Sequence, residues 1–203
     1  APPPIAGWRG TNQILIICIR FPDLANSWSS GSFADMAFGP WSPASVADYY
    51  QEISYGSLSL AGSAVGWYTA AHDRSYYGNG QQGFGTYPNN AASLVAEAMQ
   101  AADAGGVDFS QYDNDGDGTA ESIFVVHSGE GYETSLNAND VQSHYSTLTG
   151  MGDPSAPYSY DGKFVDPYLC VPGRQTTPPL PHVKIGVYCH EYGHMLGLPD
   201  LYD

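Results

Sequence analysis

The strongest hydrophobic pattern of the chain lies near its start, where residues 14–19 form the longest strongly apolar run. It belongs to the near-continuous apolar segment 13–21, which is typical of a central β-strand buried on both faces. Pro22 ends the segment. The run is far too short to span a membrane, so no membrane insertion is expected.

A first helix is predicted where apolar residues recur at helical spacing before Gly56, which can end a helix. Ser42 followed by Pro43 is a favourable start, because a cap residue precedes proline in the first turn. The apolar positions are Val46, Tyr49, Tyr50 and Ile53. We interpret Tyr49 and Tyr50 as core packing rather than as a substrate site.

A second helix is predicted over residues 90–104, and Gly105 with Gly106 stops it. Its apolar stripe consists of Leu94, Val95, Ala98, Met99 and Ala102. Alternation interrupted by glycines predicts a hairpin or a bulged strand at residues 58–68, and residues 122–127 predict a short strand. Since strands and helices alternate early, the pattern favours an α/β or α+β layered fold with the C-terminal helix below the sheet.

The remaining segments are predicted to be irregular. They are a proline-stiffened arm at residues 1–10, loops at 23–40 and 69–89, and the stretch 128–181. An irregular stretch as long as the last one usually carries function or bound ions.

The candidate chemistry lies at residues 190–200, which read HEYGHMLGLPD. On a helix His190 and His194 project from one face, so two imidazoles can bind one metal ion. Glu191 lies close enough to take a proton from a water at that metal. Gly197 can leave the helix with positive φ, and this turn would bring Asp200 back as a third ligand. Two nitrogens and one carboxylate leave a coordination position open, as a catalytic zinc requires.

A bare HExxH pattern also arises by chance in ordinary amphipathic helices. Here three further features support a metal site. They are the glycine at the end of the helix, the acid at the third-ligand position and the apolar residues 185–188 before the motif. An apolar lead-in suits a buried helix, where a His-Glu-His cluster without a metal would be costly. The sequence therefore predicts a zinc-dependent peptidase.

A second ion site is predicted at residues 113–121, where Asp113, Asp115 and Asp117 alternate around glycines. Oxygen ligands at every second position, with glycine at the bend, suit calcium. The twelfth position of an EF-hand loop would be Phe124 here, so the loop is not an EF-hand.

We expect Glu121 and the Thr119 carbonyl to complete this calcium site instead. The alternative is a solvated acidic turn, but three aspartates this close would repel one another without a cation. The calcium would be structural and would hold the strand at 122–127 beside the cleft. That strand is expected to line the cleft and pair with an extended peptide.

Length and net charge limit the kinds of molecule that the chain is expected to bind. The 203 residues suffice for one domain or for two small lobes around a cleft. Six Lys and Arg against 21 Asp and Glu give a net charge of −15, which disfavours nucleic acid and anionic lipid as partners.

The three cysteines and two further histidines are expected to lie outside the zinc site. With Cys18, Cys170 and Cys189, at most one internal disulfide can form. Cys18 is expected to be a buried thiol, and the sequence leaves undecided whether Cys170 and Cys189 form a disulfide. The lack of Cys-x-x-Cys spacing argues against cysteine as a zinc ligand. His127 and His144 could lie near the rim as ordinary hydrogen-bonded residues.

Several segments together resemble the catalytic domain of the immune inhibitor A-like family of secreted bacterial metallopeptidases, which are relatives of the metzincins. The acidic loop together with the zinc helix is specific, whereas each other segment alone is weak. The matching segments are residues 14–23, 45–50, 54–56, 65–68, 107–121, 125–129, 190–197 and 198–203.

The resemblance implies an α+β metzincin-like fold, with a twisted mixed sheet over a central active-site helix and long calcium-stabilised loops. It implies a secreted endopeptidase precursor acting on proteins or peptides, with zinc on His190, His194 and Asp200 and with Glu191 as catalytic base. Structural calcium is the second implied cofactor.

One departure from the family pattern concerns the C-terminal part. Metzincin-like enzymes carry a methionine turn after the zinc motif, but no methionine follows Met195 here. We expect residues 1–203 to form a single catalytic domain with an upper lobe and active-site helix, without the C-terminal lobe. Either the chain is a fragment or that lobe is a cleaved segment of the same precursor. The competing interpretations are a non-catalytic, calcium-stabilised binding module, an inactive fragment that keeps the zinc helix, and a hydrolase of non-peptide amides.

Overall fold

The structure is a computed structural model that describes residues 9–25, 28–174 and 184–200. Most of the predicted N-terminal arm, residues 175–181 of the long irregular stretch and residues 201–203 of the family segment lie outside these ranges. The strands are β1 (Gly10–Arg20), β2 (Leu58–Thr69), β3 (Ile123–Glu130), β4 (His144–Thr147), β5 (Tyr158–Tyr160), β6 (Lys163–Val165) and β7 (Pro167–Arg174). The helices are α1 (Ser30–Phe38), α2 (Val46–Ile53), α3 (Arg74–Gly78), α4 (Ala91–Ala104), α5 (Tyr132–Ser135) and α6 (Ile185–Met195).

Five strands form a mixed sheet in the order β2-β1-β3-β7-β4. The first four run parallel, and β4 pairs antiparallel with β7. β1 therefore has a neighbour on each side, and residues 14–19 are almost fully buried. The predicted central strand is confirmed, and the architecture is a mixed α+β fold.

Alternating side chains of β1 divide the core into two layers. Leu15 and Ile17 pack with the apolar stripe of α4 on one face of the sheet. Ile14 and Ile16 face the other layer, which contains residues of α1, α2 and α6. Because Tyr188 and Tyr192 of α6 are fully buried in that layer, the C-terminal helix is held directly against the sheet.

The predicted helix at residues 42–56 exists, but its predicted start at Ser42 was wrong. Ser45 is the N-cap, and it forms a reciprocal capping box with Asp48. Tyr50 is buried, as expected for core packing, whereas Tyr49 is 41% exposed. The two adjacent tyrosines therefore have different environments.

Several elements were missed by the sequence patterns. The predicted loops contain α1 and α3, and the stretch 128–181 contains β4 to β7. The prolines at 167 and 172 weaken the strand signal of β7, and β4, β5 and β6 are too short to show a period. Residues 58–69 form one strand with a register shift opposite Cys18 and Ile19, so the bulged strand was right and the hairpin wrong.

The cysteines are three buried free thiols. A Cys170–Cys189 disulfide is therefore not formed, whereas the expected buried thiol at Cys18 is confirmed. Burial raises the pKa of Cys18 and of Cys189 to about 12, so neither is a reactive thiolate near neutral pH. Among the described residues no helix is long and apolar enough to cross a membrane.

Candidate metal centre

The segment 190–200 forms the predicted helix and turn. α6 ends at Met195, and Gly197 adopts a φ of +86°. The Gly197 N–H donates to the His194 carbonyl at 2.8 Å, and the Leu198 N–H donates to the Gly193 carbonyl at 2.9 Å. These two bonds close the helix and reverse the chain, as the glycine predicted.

The turn brings three side chains to one point. His190 Nε2 and His194 Nε2 lie 3.1 Å apart, and Asp200 Oδ1 lies 3.3 Å from the first and 3.2 Å from the second. Ligand atoms on a tetrahedral zinc with bonds of about 2.0–2.1 Å are separated by roughly 3.3–3.4 Å. The triangle therefore has the size of three zinc ligand positions.

A backbone contact orients one of the imidazoles. His194 Nδ1 lies 2.9 Å from the Leu198 carbonyl oxygen, so Nδ1 is the protonated nitrogen that donates there. The lone pair is thereby left on Nε2, the atom that faces the triangle. Side-chain spacing gave no sign of this contact, because it depends on the backbone beyond Gly197.

Glu191 is next to the triangle but has a different environment. Its side chain is buried, with the residue 5% exposed, and a carboxylate oxygen lies within 4.8 Å of ligand atoms on His190 and His194. Burial raises the pKa of Glu191 to about 7, with His194 and the Tyr145 N–H opposing the rise and Glu133 adding to it. A cation at the triangle would lower this pKa again. A carboxylate held beside the triangle is placed to accept and return a proton.

α6 packs against β4 and β7 near one edge of the sheet, and Phe124 of β3 also contacts Tyr192 of α6. β3 lies between β1 and β7 in the sheet, so its backbone has no edge for a peptide, and the expected pairing there was wrong. β4 is the terminal strand of the sheet and contacts α6. Sequence patterns missed β4 because it is only four residues long.

The two histidines expected near the rim are both buried. His144 bonds to the Gln142 carbonyl and the Tyr168 hydroxyl, and His127 Nδ1 bonds to the Ser128 carbonyl. This geometry agrees with the prediction that neither histidine belongs to the zinc site. The expected location near the rim was wrong.

An apolar cavity of about 430 Å³ adjoins the histidines on the side of α2. Tyr49, Ile53 and Leu198 contribute to its wall, together with His190 and His194. All three apolar residues are partly exposed. The metal centre is therefore open on this side.

The acidic loop brings together the three aspartates that the sequence singled out. Carboxylate oxygens of Asp113, Asp115 and Asp117 lie within 4.8 Å of one another, a spacing that ligands on one calcium ion with bonds of about 2.3–2.6 Å can have. Asp115 Oδ1 accepts from the Asp117 N–H, and Asp117 Oδ1 accepts from the Thr119 N–H. The backbone of the loop therefore curves around these carboxylates.

Glu121 extends the acidic group into the protein. Its Oε1 accepts from the Asn114 N–H at 3.3 Å, and its buried Oε2 has no hydrogen-bond partner in the described part of the chain. Burial raises the pKa of Glu121 to about 8, and the charges of Asp115 and Asp113 act in the same direction. A buried carboxylate oxygen beside further carboxylates is suited to a cation. Thr119 lies between the backbone bonds that Gly118 and Ala120 make with Phe164.

A basic residue that the sequence analysis did not consider also lies at this loop. Lys163 Nζ is 2.7 Å from Asp113 Oδ2. The only sequence signal was the rarity of basic residues, six in the whole chain. It could not indicate which carboxylate Lys163 meets.

Comparison with known proteins agrees with the earlier resemblance. Residues 4–203 match the family model described as the immune inhibitor A peptidase M6 catalytic domain. The pre-pro-metalloprotease PrtV of Vibrio cholerae serotype O1 is 28% identical over 245 residues, covering 97% of this chain and 26% of that protein. Immune inhibitor A of Bacillus thuringiensis subsp. alesti is 30% identical over 178 residues, covering 76% of this chain and 25% of that protein. The chain thus spans about a quarter of the length of these relatives.

Proposed function

The chain belongs to the immune inhibitor A peptidase family, and on that premise we propose that it is a zinc-dependent endopeptidase. The observation that carries the proposal is the triangle of His190, His194 and Asp200, whose ligand atoms are 3.1–3.3 Å apart. Zinc bound there supplies a Lewis acid that lowers the pKa of water and polarises the scissile carbonyl.

Glu191 acts as the general base in this proposal. Its carboxylate takes a proton from the attacking water and later delivers it to the leaving amine. The position of Glu191 on α6, between the two histidines and in the buried layer, holds its carboxylate beside them. The Leu198 carbonyl keeps His194 in the tautomer that presents Nε2.

β4 is the strand that we propose as the docking edge for an extended substrate. It is the terminal strand of the sheet, so one row of its backbone groups is not used by β7. A peptide added there would run beside α6 and pass Glu191. Protein or peptide chains are accordingly the proposed substrates.

The acidic loop is proposed as a structural calcium site formed by Asp113, Asp115, Asp117, the Thr119 carbonyl and Glu121. Support comes from the clustered aspartate oxygens and from the buried, unpartnered oxygen of Glu121. The loop precedes β3, and Asn114 bonds to the backbone of β1. Calcium would therefore stabilise the starts of the neighbouring strands β1 and β3, near residues 13 and 122.

Secretion is proposed from the relative whose name describes a pre-pro form. On this proposal the chain acts outside the cell, as part of a precursor that is processed. A C-terminal segment of the same precursor would be its partner beneath α6, next to the open cavity.

The deciding experiment measures the metal content of the purified chain by elemental analysis beside hydrolysis of unfolded casein. One zinc per chain with cleavage of casein supports the peptidase. One zinc without cleavage favours an inactive fragment or binding module, and supplying the C-terminal segment then separates those two. No bound zinc would overturn the proposal.

A further inference from the structure

Lys163 provides the acidic loop with a positive charge from the protein itself. Its Nζ lies 2.7 Å from Asp113 Oδ2, and the Asp113 side chain is only 2% exposed. We propose that the Lys163 ammonium is an internal counter-ion that competes with calcium for the loop. This inference rests on the calcium site proposed above and concerns how that site is occupied.

The backbone around Lys163 is held firmly against the loop. The Phe164 N–H donates to the Gly118 carbonyl at 2.9 Å, and the Ala120 N–H donates to the Phe164 carbonyl at 2.8 Å. These two bonds attach β6 to the loop on either side of Thr119. Lys163 therefore stays within reach of Asp113 whether or not an ion is present.

The lysine side chain, in contrast, has access to solvent. It is 29% exposed, and a lysine stem is flexible and places its ammonium readily in water. A cation arriving at Asp113 would repel the ammonium, which can then move into solvent while the backbone of β6 stays in place.

One ammonium does not neutralise the site. Asp113, Asp115 and Asp117 carry three carboxylates and the buried Glu121 adds a fourth carboxyl group, so Lys163 leaves at least two negative charges uncompensated. Oε2 of Glu121, on a residue only 6% exposed, has no hydrogen-bond partner among the described residues and independently points to a cation at the inner end of the loop. The site therefore keeps an attraction for a divalent cation, although Lys163 weakens it.

Two opposite effects follow from this competition. Without calcium, Lys163 stabilises the loop by reducing repulsion among the carboxylates. With calcium, the same charge opposes binding, because its ion pair with Asp113 must be broken. Removing the charge should therefore tighten calcium binding and lower the melting temperature of the calcium-free protein.

The test is isothermal titration of calcium into zinc-loaded, calcium-free protein, comparing the native chain with Lys163→Met and Lys163→Gln. We expect either substitution to lower the calcium Kd about threefold to fivefold, the upper part of the range for exposed ion pairs, because Asp113 is buried. Arg20→Met is the matched control. It removes the same charge at the opposite end of β1 from the loop, so its Kd should stay within about twofold of the native value.

An unchanged or higher Kd in both Lys163 variants would overturn the competition. The melting temperature without calcium is the second measurement, and it should fall in the Lys163 variants and recover at saturating calcium. If no chain binds calcium, the competition and the calcium site both fail. The peptidase proposal would still stand, because zinc content and casein hydrolysis test it separately.

Discussion

The side-chain amide of Asn12 donates a hydrogen bond to the hydroxyl of Tyr192 at 2.9 Å, although the two residues are 180 positions apart. Asn12 is 3% exposed and Tyr192 is fully buried. Tyr192 lies between His190 and His194 on α6, so this bond attaches the helix of the metal centre to β1. The next residue, Gln13, bonds through its backbone to Asn114 of the acidic loop.

Tyr192→Phe should destabilise the protein, because it leaves the Asn12 amide as a buried donor without its acceptor. We expect a loss of about 1–3 kcal/mol in the free energy of unfolding, measured by urea denaturation. Tyr55→Phe is the control, since Tyr55 is 96% exposed. Equal stability of Tyr192→Phe and the native chain would show that the bond contributes nothing.

Glu191→Gln should abolish peptide cleavage while zinc stays bound. The amide keeps the shape of the side chain but cannot accept the proton, so casein hydrolysis should fall at least about 100-fold. Elemental analysis should still find one zinc per chain. Glu52→Gln, at an exposed position of α2, should leave casein hydrolysis and zinc content unchanged. Substantial turnover by Glu191→Gln would remove Glu191 from the role of base.

Asp200→Asn should weaken zinc binding, because the variant loses the charged member of the ligand triangle. We expect the zinc Kd to rise at least about 100-fold in a competition titration with a chromophoric chelator. Asp103→Asn on α4 removes the same charge in the other layer of the protein and should bind zinc normally. A native Kd for Asp200→Asn would mean that the two histidines bind zinc without it.

Acid should destabilise the protein through His144. Burial lowers the pKa of this imidazole from 6.5 to about 4, so between these values the unfolded chain binds a proton that the folded chain does not. The stabilisation is complete above about pH 6.5 and is lost as the pH falls toward 4, by up to about 3 kcal/mol.

This pH dependence can be isolated with a substitution. Because the loss caused by His144 is absent, the free energy of unfolding of His144→Gln at pH 4.5, relative to its value at pH 7, should be higher than in the native chain. The same substitution at the exposed His72 should preserve the native pH dependence. If the free energy of unfolding of His144→Gln depends on pH as in the native chain, other groups cause the acid sensitivity.

Calcium should raise the melting temperature of the zinc-loaded protein through the acidic loop. At a calcium concentration roughly 100 times Kd, we expect an increase of about 5–10 °C by differential scanning calorimetry. The double variant Asp115→Asn, Asp117→Asn should lose this increase. The double variant Asp35→Asn, Asp103→Asn changes the charge equally outside the loop and should retain it. No response of the native chain to calcium would refute the site.

The sequence by itself determined the features that depend on local spacing. The residues of the helix at 190–194, the positive φ of Gly197 and the direction of the chain toward Asp200 all follow from a few neighbouring positions. The central strand β1 and the helix α4 were equally clear, since each has a long run with one period. The clustering of the three aspartates also follows from their alternation around glycines.

Tertiary structure alone decided which distant groups meet. The position of β4 at the edge, the bond from Asn12 to Tyr192 and the pairing of Lys163 with Asp113 join residues that share no local pattern. Short strands carry too few residues to show a period, and a single charge in a sequence does not specify its partner. Such contacts arise only when the sheet order fixes which segments are neighbours, because side-chain interactions act over a few ångströms in space and not along the chain.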